Sequence, residues 1–359
     1  MVPSPTRLLI AASGTGGHLF PALAVAEELS GYEIEWLGVP KRLENSLVPK
    51  KYPLNIISVE GFQQGFGLKT IKIAFGFISS IFQVQKLIKE HQIDAVFTTG
   101  GYIAAPAILA ACLQRKPTIL HESNFIPGKV TRLLSRWCNI IALGFEGTKK
   151  YLPQVETQYV STPVRSQFLS PQPLDLPIPD DALVIVVAGG SQGAVSVNQL
   201  VRQAAPDWLA KGAYIIHLTG EKDPEVDSLD HERYIHFPFY DNMAGLFQRA
   251  NLAISRAGAG TLTELAITGT PAILIPYPYA AEDHQTYNAQ VFVDAGAAIA
   301  YQQAELNSET LSQQVSQWLD SPDQLVQMAT QAKTLAMSDS ATKLAQMIQS
   351  LILTRIAQE

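Results

Sequence analysis

The chain has 359 residues, of which 47% are hydrophobic and 16% charged, and its formal net charge is −6. This length suits two domains of about 150–200 residues each, and the composition excludes a disordered polyelectrolyte. Two cysteines, Cys112 and Cys138, are too few for a disulfide framework and lack metal-site spacing, which favours a reducing cytoplasm. No apolar run of signal-peptide length precedes the first predicted strand at 8–12, so no export signal is expected.

Short apolar runs alternate with helical patterns along the chain, which is typical of parallel sheets wrapped by helices. The strands predicted in the first half are 8–12, 34–37, 56–59, 95–98, 118–121 and 140–143. Those predicted in the second half are 183–188, 214–218, 235–237, 252–255, 272–275 and 298–301. Each set of six suits a complete doubly wound sheet.

A proline-rich stretch separates the halves. Four prolines within 170–179 exclude a helix or a central strand, so the linker is predicted at about 163–180. We therefore expect a first domain at 1–163, a second at 164–340, and a C-terminal helix at 341–359 that packs back on the first domain.

The two halves also differ in charge. Residues 1–163 carry 16 Lys and Arg against 11 Asp and Glu, a net charge of +5, whereas the remainder carries 10 against 21, a net charge of −11. A basic half favours an anionic partner. Nucleic acid is not expected, because the basic residues are dispersed and not interleaved with aromatic residues.

Glycine-rich turns follow three predicted strands, at 14–18, 98–102 and 189–194. Glycine lets a backbone approach a phosphate closely, and the helix that follows offers unpaired N–H groups to the anion. Leu19 stands where a dinucleotide fingerprint needs glycine, and no P-loop lysine follows. One such turn is more often an ordinary connection, but three of them favour phosphate binding.

Polar side chains accompany these turns. His18 predicts an acid–base group, with a helix-terminal histidine bonded to the local backbone as the alternative. The His-Glu-Ser-Asn run at 121–124 follows another strand, and its four polar side chains suit a ligand site. Arg165, near the domain junction, suits a phosphate or carbonyl contact, although a lone arginine is more often in a surface ion pair.

The segment 255–264 ends a strand, turns on glycines, and begins a helix at about Gly260 or Thr261. Its N–H groups suit a phosphate, and Glu264 suits the hydroxyls of a ribose. A capping box that pairs Thr261 with Glu264 is the structural alternative. The polar run at 276–289 predicts either a sugar-binding loop or an ordinary helix entry.

A helix predicted at 68–88 carries two apolar stripes. The stripe predicted to face the core contains Ile71, Phe75, Ile78 and Phe82. The stripe predicted to contact an anionic membrane surface contains Ile73, Phe77 and Val84. Lys and Gln interrupt the helix too often for it to span a bilayer, and burial on both sides is the alternative.

Taken in this order, the motifs resemble the MurG family of bacterial cell-wall glycosyltransferases, from Gly14 to about Ala341. The matching motifs are Gly-Thr-Gly-Gly-His at 14–18, Gly-Gly-Tyr at 100–102, His-Glu-Ser-Asn at 121–124, Pro-Val-Arg at 163–165, Gly-Gly-Ser-Gln-Gly-Ala at 189–194 and Arg-Ala-Gly-Ala-Gly-Thr-Leu-Thr-Glu at 256–264. The resemblance implies an α/β GT-B fold, in which two Rossmann-like doubly wound domains face one cleft. It also implies inverting transfer of N-acetylglucosamine from UDP-N-acetylglucosamine to lipid I (undecaprenyl-diphospho-muramoylpentapeptide), giving lipid II in peptidoglycan synthesis, without a metal or other cofactor.

Site roles follow from the resemblance, residue by residue. His18 is the first choice for the catalytic base. The donor-binding residues implied are Thr15, Gly16, Gly17, Asn124, Arg165, Ser191, Tyr240, Ala259, Gly260, Thr261, Glu264, Gln285 and Asn288. The acceptor-binding residues implied are Gly14, His18, Gly101, Tyr102 and Asn124. The implied location is peripheral, on the cytoplasmic face of the inner membrane, with the anionic membrane surface and other cell-wall synthesis proteins as partners.

The chain departs from the family pattern in three places: Ser161-Thr162 stands where Gly-Asn is usual, Ser123 replaces a usual Gln, and the loop at 61–67 lacks the basic residues often found there. Three other functions stay open. A UDP-N-acetylglucosamine 2-epimerase would make free UDP-N-acetylmannosamine, a glycosyltransferase of natural products would use a soluble acceptor, and a nucleotide-sugar sensor would release no UDP. A nicotinamide oxidoreductase fits less well, because the dinucleotide fingerprint is missing.

Overall fold

The computed structural model describes residues 5–59, 68–190 and 193–357. The chain divides into two compact units. The first unit contains Met1–Arg165 together with Asp339–Glu359, and the second unit contains Ser166–Ser338. The division falls two residues after the predicted boundary at 163.

The described part of the first unit is built on a parallel sheet of order β3-β2-β1-β4-β5-β6-β7. Its strands are β1 Arg7–Ala11, β2 Glu33–Gly38, β3 Leu54–Ile56, β4 Ala95–Thr98, β5 Thr118–Glu122, β6 Ile140–Leu143 and β7 Thr157–Tyr159. Its helices are α1 Gly16–Glu28, α2 Glu44–Leu47, α3 Leu68–Glu90, α4 Ala104–Leu113, α5 Lys129–Leu134 and, from the C-terminus, α12 Ser340–Ile356. The strand β7 was not predicted, because it is a three-residue edge strand without an apolar run.

The central strands of this sheet are buried on both faces. Leu8, Leu9 and Ile10 of β1 are completely buried, as a parallel sheet covered by helices on both sides requires. The helix α12 contacts α1, and Leu344 and Ile348 join the core on that face.

The described part of the second unit has a parallel sheet of order β10-β9-β8-β11-β12-β13, which confirms all six strands predicted there. Its strands are β8 Val184–Ala188, β9 Tyr214–Leu218, β10 Tyr234–Phe237, β11 Leu252–Ser255, β12 Ala272–Leu274 and β13 Ala298–Ala300. Its helices are α6 Val195–Ala210, α7 Met243–Arg249, α8 Ala259–Thr268, α9 His284–Asp294, α10 Ser308–Asp320 and α11 Pro322–Thr334. Both strand orders are those of doubly wound, Rossmann-like domains.

A buried polar network lies between α6 and β9 in the second unit. The guanidinium of Arg202 donates two hydrogen bonds to Asp223, at 2.7 and 3.0 Å, and Asn198 donates a third. The ring of His217 bonds Asn198 Oδ1 through Nε2 at 3.0 Å and the Tyr234 hydroxyl through Nδ1 at 2.8 Å. Burial lowers the pKa of His217 to about 3, so this histidine is neutral in the folded protein.

The faces predicted for α3 are reversed in the structure. Val84 of the predicted membrane stripe is completely buried in the core, and Ile73 and Phe77 are half-buried. The exposed stripe instead contains Phe75, Ile78 and Phe82, three residues that were predicted to face the core. The two stripes are equally apolar, so hydropathy could not indicate which one packs against the sheet.

The exposed stripe of α3 is strongly apolar: Phe75 is 70% exposed and Phe82 is 65% exposed. The side chain of Ile71 lies outside the described residues, as does the loop at 61–67. No helix in the described ranges is both long and apolar enough to cross a bilayer.

Candidate glycosyl-transfer site

The glycine turns lie at the carboxyl ends of β1, β4 and β8, where doubly wound sheets bind their ligands. In each turn the backbone enters the left-handed region, where side chains other than glycine are strained. The positive φ angles are +107° at Gly14, +90° and +75° at Gly100 and Gly101, and +90° and +73° at Gly190 and Gly193. Ser191, the predicted diphosphate contact in the third turn, lies outside the described residues.

The first glycine turn opens α1. Thr15 is the N-cap residue and makes no side-chain cap hydrogen bond, and the helix begins at Gly16. The first intrahelical hydrogen bond is donated by His18 to the Thr15 carbonyl, so the N–H groups of Gly16 and Gly17 precede it. These groups form the kind of helix N-terminus that binds phosphate.

His18 is held by the second glycine turn. Its Nδ1 lies 2.7 Å from the carbonyl oxygen of Thr99, and the Thr99 hydroxyl donates to the His18 carbonyl at 2.9 Å. Because a carbonyl only accepts, Nδ1 carries the hydrogen, and Nε2 of the neutral ring is then a proton acceptor. The ring lies on Gly100 and Gly101, where an added Cβ would come within 3.7 Å of it. The alternative of a histidine bonded to the local backbone is therefore wrong for Nδ1, because its carbonyl partner lies 81 residues away in the chain.

The structure thus brings together the residues predicted around the first two turns. Because β1 pairs with β4, their carboxyl ends are adjacent, and the His18 ring lies against Gly100 and Gly101. The ring of Tyr102 is 65% exposed at this edge of the sheet.

Three of the four side chains at 121–124 are internal, so the prediction of a ligand site was wrong for them. His121 is completely buried, donates to the Ser161 carbonyl at 2.9 Å, and has its pKa lowered to about 4 by burial. Glu122 accepts hydrogen bonds from the N–H groups of Asn124 and Gly128. Ser123 is also buried, and only Asn124 is half-exposed.

Ser161 occupies a position that favours glycine. Its φ of +62° lies in the left-handed region, which explains why the related family usually has Gly there. Four residues later, the Arg165 guanidinium stacks on the ring of Phe20, 4.5 Å from its centroid. Phe20 in turn lies against Gly16, so Arg165 lies near the first glycine turn.

In the second unit, α8 begins on a glycine and not on a capping threonine. Its N-cap is Gly258 and its first residue is Ala259, so Thr261 already lies inside the helix. The capping-box alternative for Thr261 and Glu264 is therefore wrong. Cβ atoms added to Gly258 and Gly260 would meet nothing within 4 Å, so the N-terminus of α8 is open on that side. Glu264 is half-buried one turn further along.

Two predicted sugar-binding residues hold the loop that leads into α8. Gln285 Oε1 accepts hydrogen bonds from the N–H groups of Ala257, at 3.1 Å, and Tyr277, at 2.9 Å. The amide of Asn288 donates to the Ala257 carbonyl at 3.2 Å, and its side chain is completely buried. Gln285 is half-exposed, so its Nε2 is the group suited to a ligand oxygen.

Two further side chains, Arg256 and Gln303, hold the loops beside the start of α8 and were not predicted to do so. Arg256 donates to the carbonyls of Ile275 and Pro276, at 3.0 and 3.1 Å, and to Gln303 at 2.6 Å. Gln303 also accepts from Ser196 in the first turn of α6, so this network joins the loops after β11, β12 and β13. Arg256 begins the motif at 256–264 but was given no role of its own, and Gln303 belongs to no motif.

Tyr240, the remaining residue predicted to bind the donor, follows β10, and its ring lies 5.1 Å from that of Phe237. Asn242, two residues later, caps α7 by accepting from the Gly245 N–H at 2.9 Å. Within the ranges the structure describes, no three His, Cys, Asp or Glu side chains form a group that could hold a metal ion.

Residues 8–143 match the N-terminal domain of glycosyltransferase family 28, and residues 184–344 match its C-terminal domain. A relative from Gloeothece citriformis (strain PCC 7424), named UDP-N-acetylglucosamine--N-acetylmuramyl-(pentapeptide) pyrophosphoryl-undecaprenol N-acetylglucosamine transferase, is 66% identical over the full length of both chains. The crystal structure of Acinetobacter baumannii MurG is 31% identical, with a TM-score of 0.76 over 96% of this chain and 100% of that chain. The glycotransferase of kitacinnamycin has the same fold at 13% identity, with a TM-score of 0.76 over 98% of this chain and 100% of that chain. The chain therefore belongs to the MurG family within glycosyltransferase family 28.

Proposed function

We propose that this chain transfers N-acetylglucosamine from UDP-N-acetylglucosamine to N-acetylmuramyl-(pentapeptide) pyrophosphoryl-undecaprenol. The observation that carries the proposal is the 66% identity, over the full length of both chains, to a relative named for this reaction. The chemistry of each unit supports it: the first unit has an oriented histidine, and the second unit has an open helix N-terminus.

In the proposed mechanism, an acceptor hydroxyl attacks the anomeric carbon of the donor. A new C–O bond forms as the bond to the UDP oxygen breaks, and the configuration inverts from α to β. Nε2 of His18 takes the hydroxyl proton, while Nδ1 keeps its hydrogen bond to Thr99. The N–H groups at the start of α8 stabilise the charge that develops on the departing diphosphate.

The test is release of UDP by the purified protein. UDP-N-acetylglucosamine with a lipid-I analogue should give UDP, whereas UDP-glucose and UDP-galactose should give little. UDP release with a soluble natural-product acceptor but not with the lipid-I analogue would identify a different glycosyltransferase. Free UDP-N-acetylmannosamine would identify an epimerase, and binding of the donor with no UDP release would identify a sensor.

Replacing Glu264 with Ala should weaken UDP binding by about 1–3 kcal/mol, through the loss of charge-assisted hydrogen bonds to the ribose. Glu264 lies one turn into α8, and the capping role that would explain it otherwise is excluded by the start of the helix at Ala259. Isothermal calorimetry with UDP gives the affinity. The matched control is Glu309→Ala, an acidic residue in the first turn of α10. An unchanged UDP affinity in folded Glu264→Ala would remove Glu264 from the donor site.

We also propose that transfer needs no metal ion, because the N-terminus of α8 supplies the positive field that a diphosphate needs. Activity should therefore persist in EDTA at the level seen without chelator. The measurement is the rate of UDP release before and after chelation, with Mg²⁺ or Mn²⁺ added back. A loss of activity that either cation restores would contradict the proposal.

The first unit is proposed to bind the membrane peripherally, through the exposed stripe of α3. Phe75, Ile78 and Phe82 lie within about 60° of one another on the helix, and Lys86 and Lys89 follow them. The end of α4 lies beside this helix, because Gln114 donates to the Gln85 carbonyl at 2.6 Å, and it adds the exposed side chain of Leu113. An apolar stripe flanked by basic residues suits the interface of an anionic bilayer.

Changing Phe75, Ile78 and Phe82 together to Ser should weaken binding to anionic vesicles by about 2–4 kcal/mol. The membrane interface would then lose three apolar side chains, each of which is half-buried in it when the protein is bound. UDP affinity should stay unchanged, and raised salt should weaken binding of the wild-type protein. Vesicle sedimentation measures the binding. Val326→Ser with Leu353→Ser is the control, since both side chains are equally exposed elsewhere. If the triple variant binds vesicles as tightly as wild type, the membrane surface lies outside α3.

A further inference from the structure

A buried carboxylate lies directly behind the first glycine turn. Glu44, the first residue of α2, is completely buried. Its Oε1 accepts hydrogen bonds from the Ser13 hydroxyl, at 2.5 Å, and the Val39 N–H, at 3.0 Å, and its Oε2 accepts from the Gly14 N–H at 3.2 Å. The carboxylate therefore joins the end of β1 to the end of β2, a contact across 31 residues of chain.

The backbone leaves room for the Glu44 side chain because residue 38 is glycine. An added Cβ at Gly38 would come within 2.9 Å of Glu44 Cγ and 3.0 Å of a Leu54 methyl, so only glycine fits there without a shift. A buried carboxylate is costly unless hydrogen bonds satisfy it, and here two of the three donors belong to the turn itself. The geometry thus links the position of Ser13 and Gly14 to the charge on Glu44.

The glycine turn is consequently held at both ends. Glu44 fixes Ser13 and Gly14 where β1 ends, and Thr99 fixes His18 three residues beyond the N-cap. Glu44 also accepts the hydrogen bond of the Gly14 N–H, so that group is not available to bind an anion. The N–H groups left to a phosphate are those of Gly16 and Gly17, in the first turn of α1.

We infer that Glu44 is a positioning residue for transfer: it sets the glycine turn so that His18 and the N–H groups of Gly16 and Gly17 meet the acceptor and its diphosphate. This inference rests on the proposed function, since it assigns the turn to the acceptor. Glu44 acts through the turn and touches neither substrate. Its removal should lower turnover while leaving the donor site of the second unit unchanged.

The test uses Glu44→Gln, which keeps the shape of the side chain but places an amide N–H against one of the three donors. The kcat with a lipid-I analogue should fall by about 10- to 100-fold, as expected when a catalytic group is slightly misplaced. The Kd for UDP should stay within twofold of wild type. The control is Glu33→Gln, an exposed glutamate of the same unit, which should leave kcat unchanged.

A second variant separates positioning from folding. Ser13→Ala keeps Glu44 and its two backbone hydrogen bonds, and it should lower kcat by about 2- to 12-fold. Ser13→Ala should lower kcat less in the Glu44→Gln background, because both substitutions affect the same contact between Ser13 and Glu44. The inference would be overturned if folded Glu44→Gln had a kcat within twofold of wild type. If Glu44→Gln does not fold, a kcat within twofold of wild type in Ser13→Ala would overturn it. Absence of UDP release by the wild-type protein would instead overturn the proposed function.

Discussion

Replacing His18 with Asn is expected to lower the rate of transfer by about 10²–10⁴-fold, the range for loss of a general base. The Asn amide can keep the hydrogen bond to the Thr99 carbonyl that Nδ1 makes in the wild-type protein. It has no group in the place of Nε2, so the acceptor hydroxyl loses its proton acceptor. The measurement is kcat for UDP release, together with the Kd for UDP, which should not change.

His91→Asn is the matched control for His18. This histidine belongs to the same unit but follows α3, at the amino end of the sheet, where it bonds Glu35 at 2.9 Å. Its replacement should leave kcat unchanged. If folded His18→Asn turns over within tenfold of wild type, His18 is not the base, and its ring serves only to fix the glycine turns.

The second large effect expected is a loss of stability of the second unit in acid, caused by His217. Its pKa is about 3 in the folded protein and 6.5 in the unfolded chain. Above pH 6.5 His217 binds no proton in either the folded or the unfolded state, so the contribution of the network to the free energy of unfolding is fully present there. Below pH 6.5 only the unfolded chain binds the proton, and the free energy of unfolding falls, by up to about 1.4 kcal/mol per pH unit between the two pKa values.

Hydrogen exchange of peptides from β8 and β9, corrected for intrinsic exchange rates, measures this loss in the second unit alone. The wild-type protein should show the steep fall between pH 6.5 and 4.5. His217→Gln should be less stable at pH 7 but should lose less stability over the same interval, whereas His231→Gln should follow the wild-type slope. Equal slopes in wild type and His217→Gln would show that His217 is not the titrating group.

The sequence predicted the sheets well, because buried parallel strands are continuous apolar runs bounded by glycine turns. All six strands of the second unit were found at the predicted places. The short β7 was missed because an edge strand such as Thr157–Tyr159 has no apolar run. The glycine turns were also predictable, since Gly14, Gly100 and Gly190 take backbone angles that favour glycine.

Side-chain direction could not be predicted in the same way. His121, Glu122 and Ser123 follow a strand as ligand-binding residues do, but they turn inward. His121 and Glu122 bond the backbone, and the Ser123 hydroxyl bonds the His121 ring. Neither hydropathy nor spacing indicated that Val84 faces the core while Phe75 faces outward, because both belong to apolar stripes of one helix.

Contacts between residues far apart in the chain could likewise not be predicted from the sequence. Glu44 lies in a four-residue helix with no motif, yet it bonds Ser13 and Gly14 at the first turn. Gln303 reaches Arg256 only because β12 pairs with both β11 and β13, which places the loops after β11 and β13 at the same edge of the sheet. Such partners follow from the topology and from strand order, which local patterns do not contain.

Fold alone does not decide the function, since the glycotransferase of kitacinnamycin has the same fold at 13% identity. The direct test of the central claim is therefore the product. Purified protein incubated with UDP-N-acetylglucosamine and a lipid-I analogue should add one N-acetylglucosamine to the acceptor, with a β linkage by NMR and one UDP released per sugar transferred. An unchanged acceptor, an epimerised nucleotide sugar or an α linkage would contradict the account.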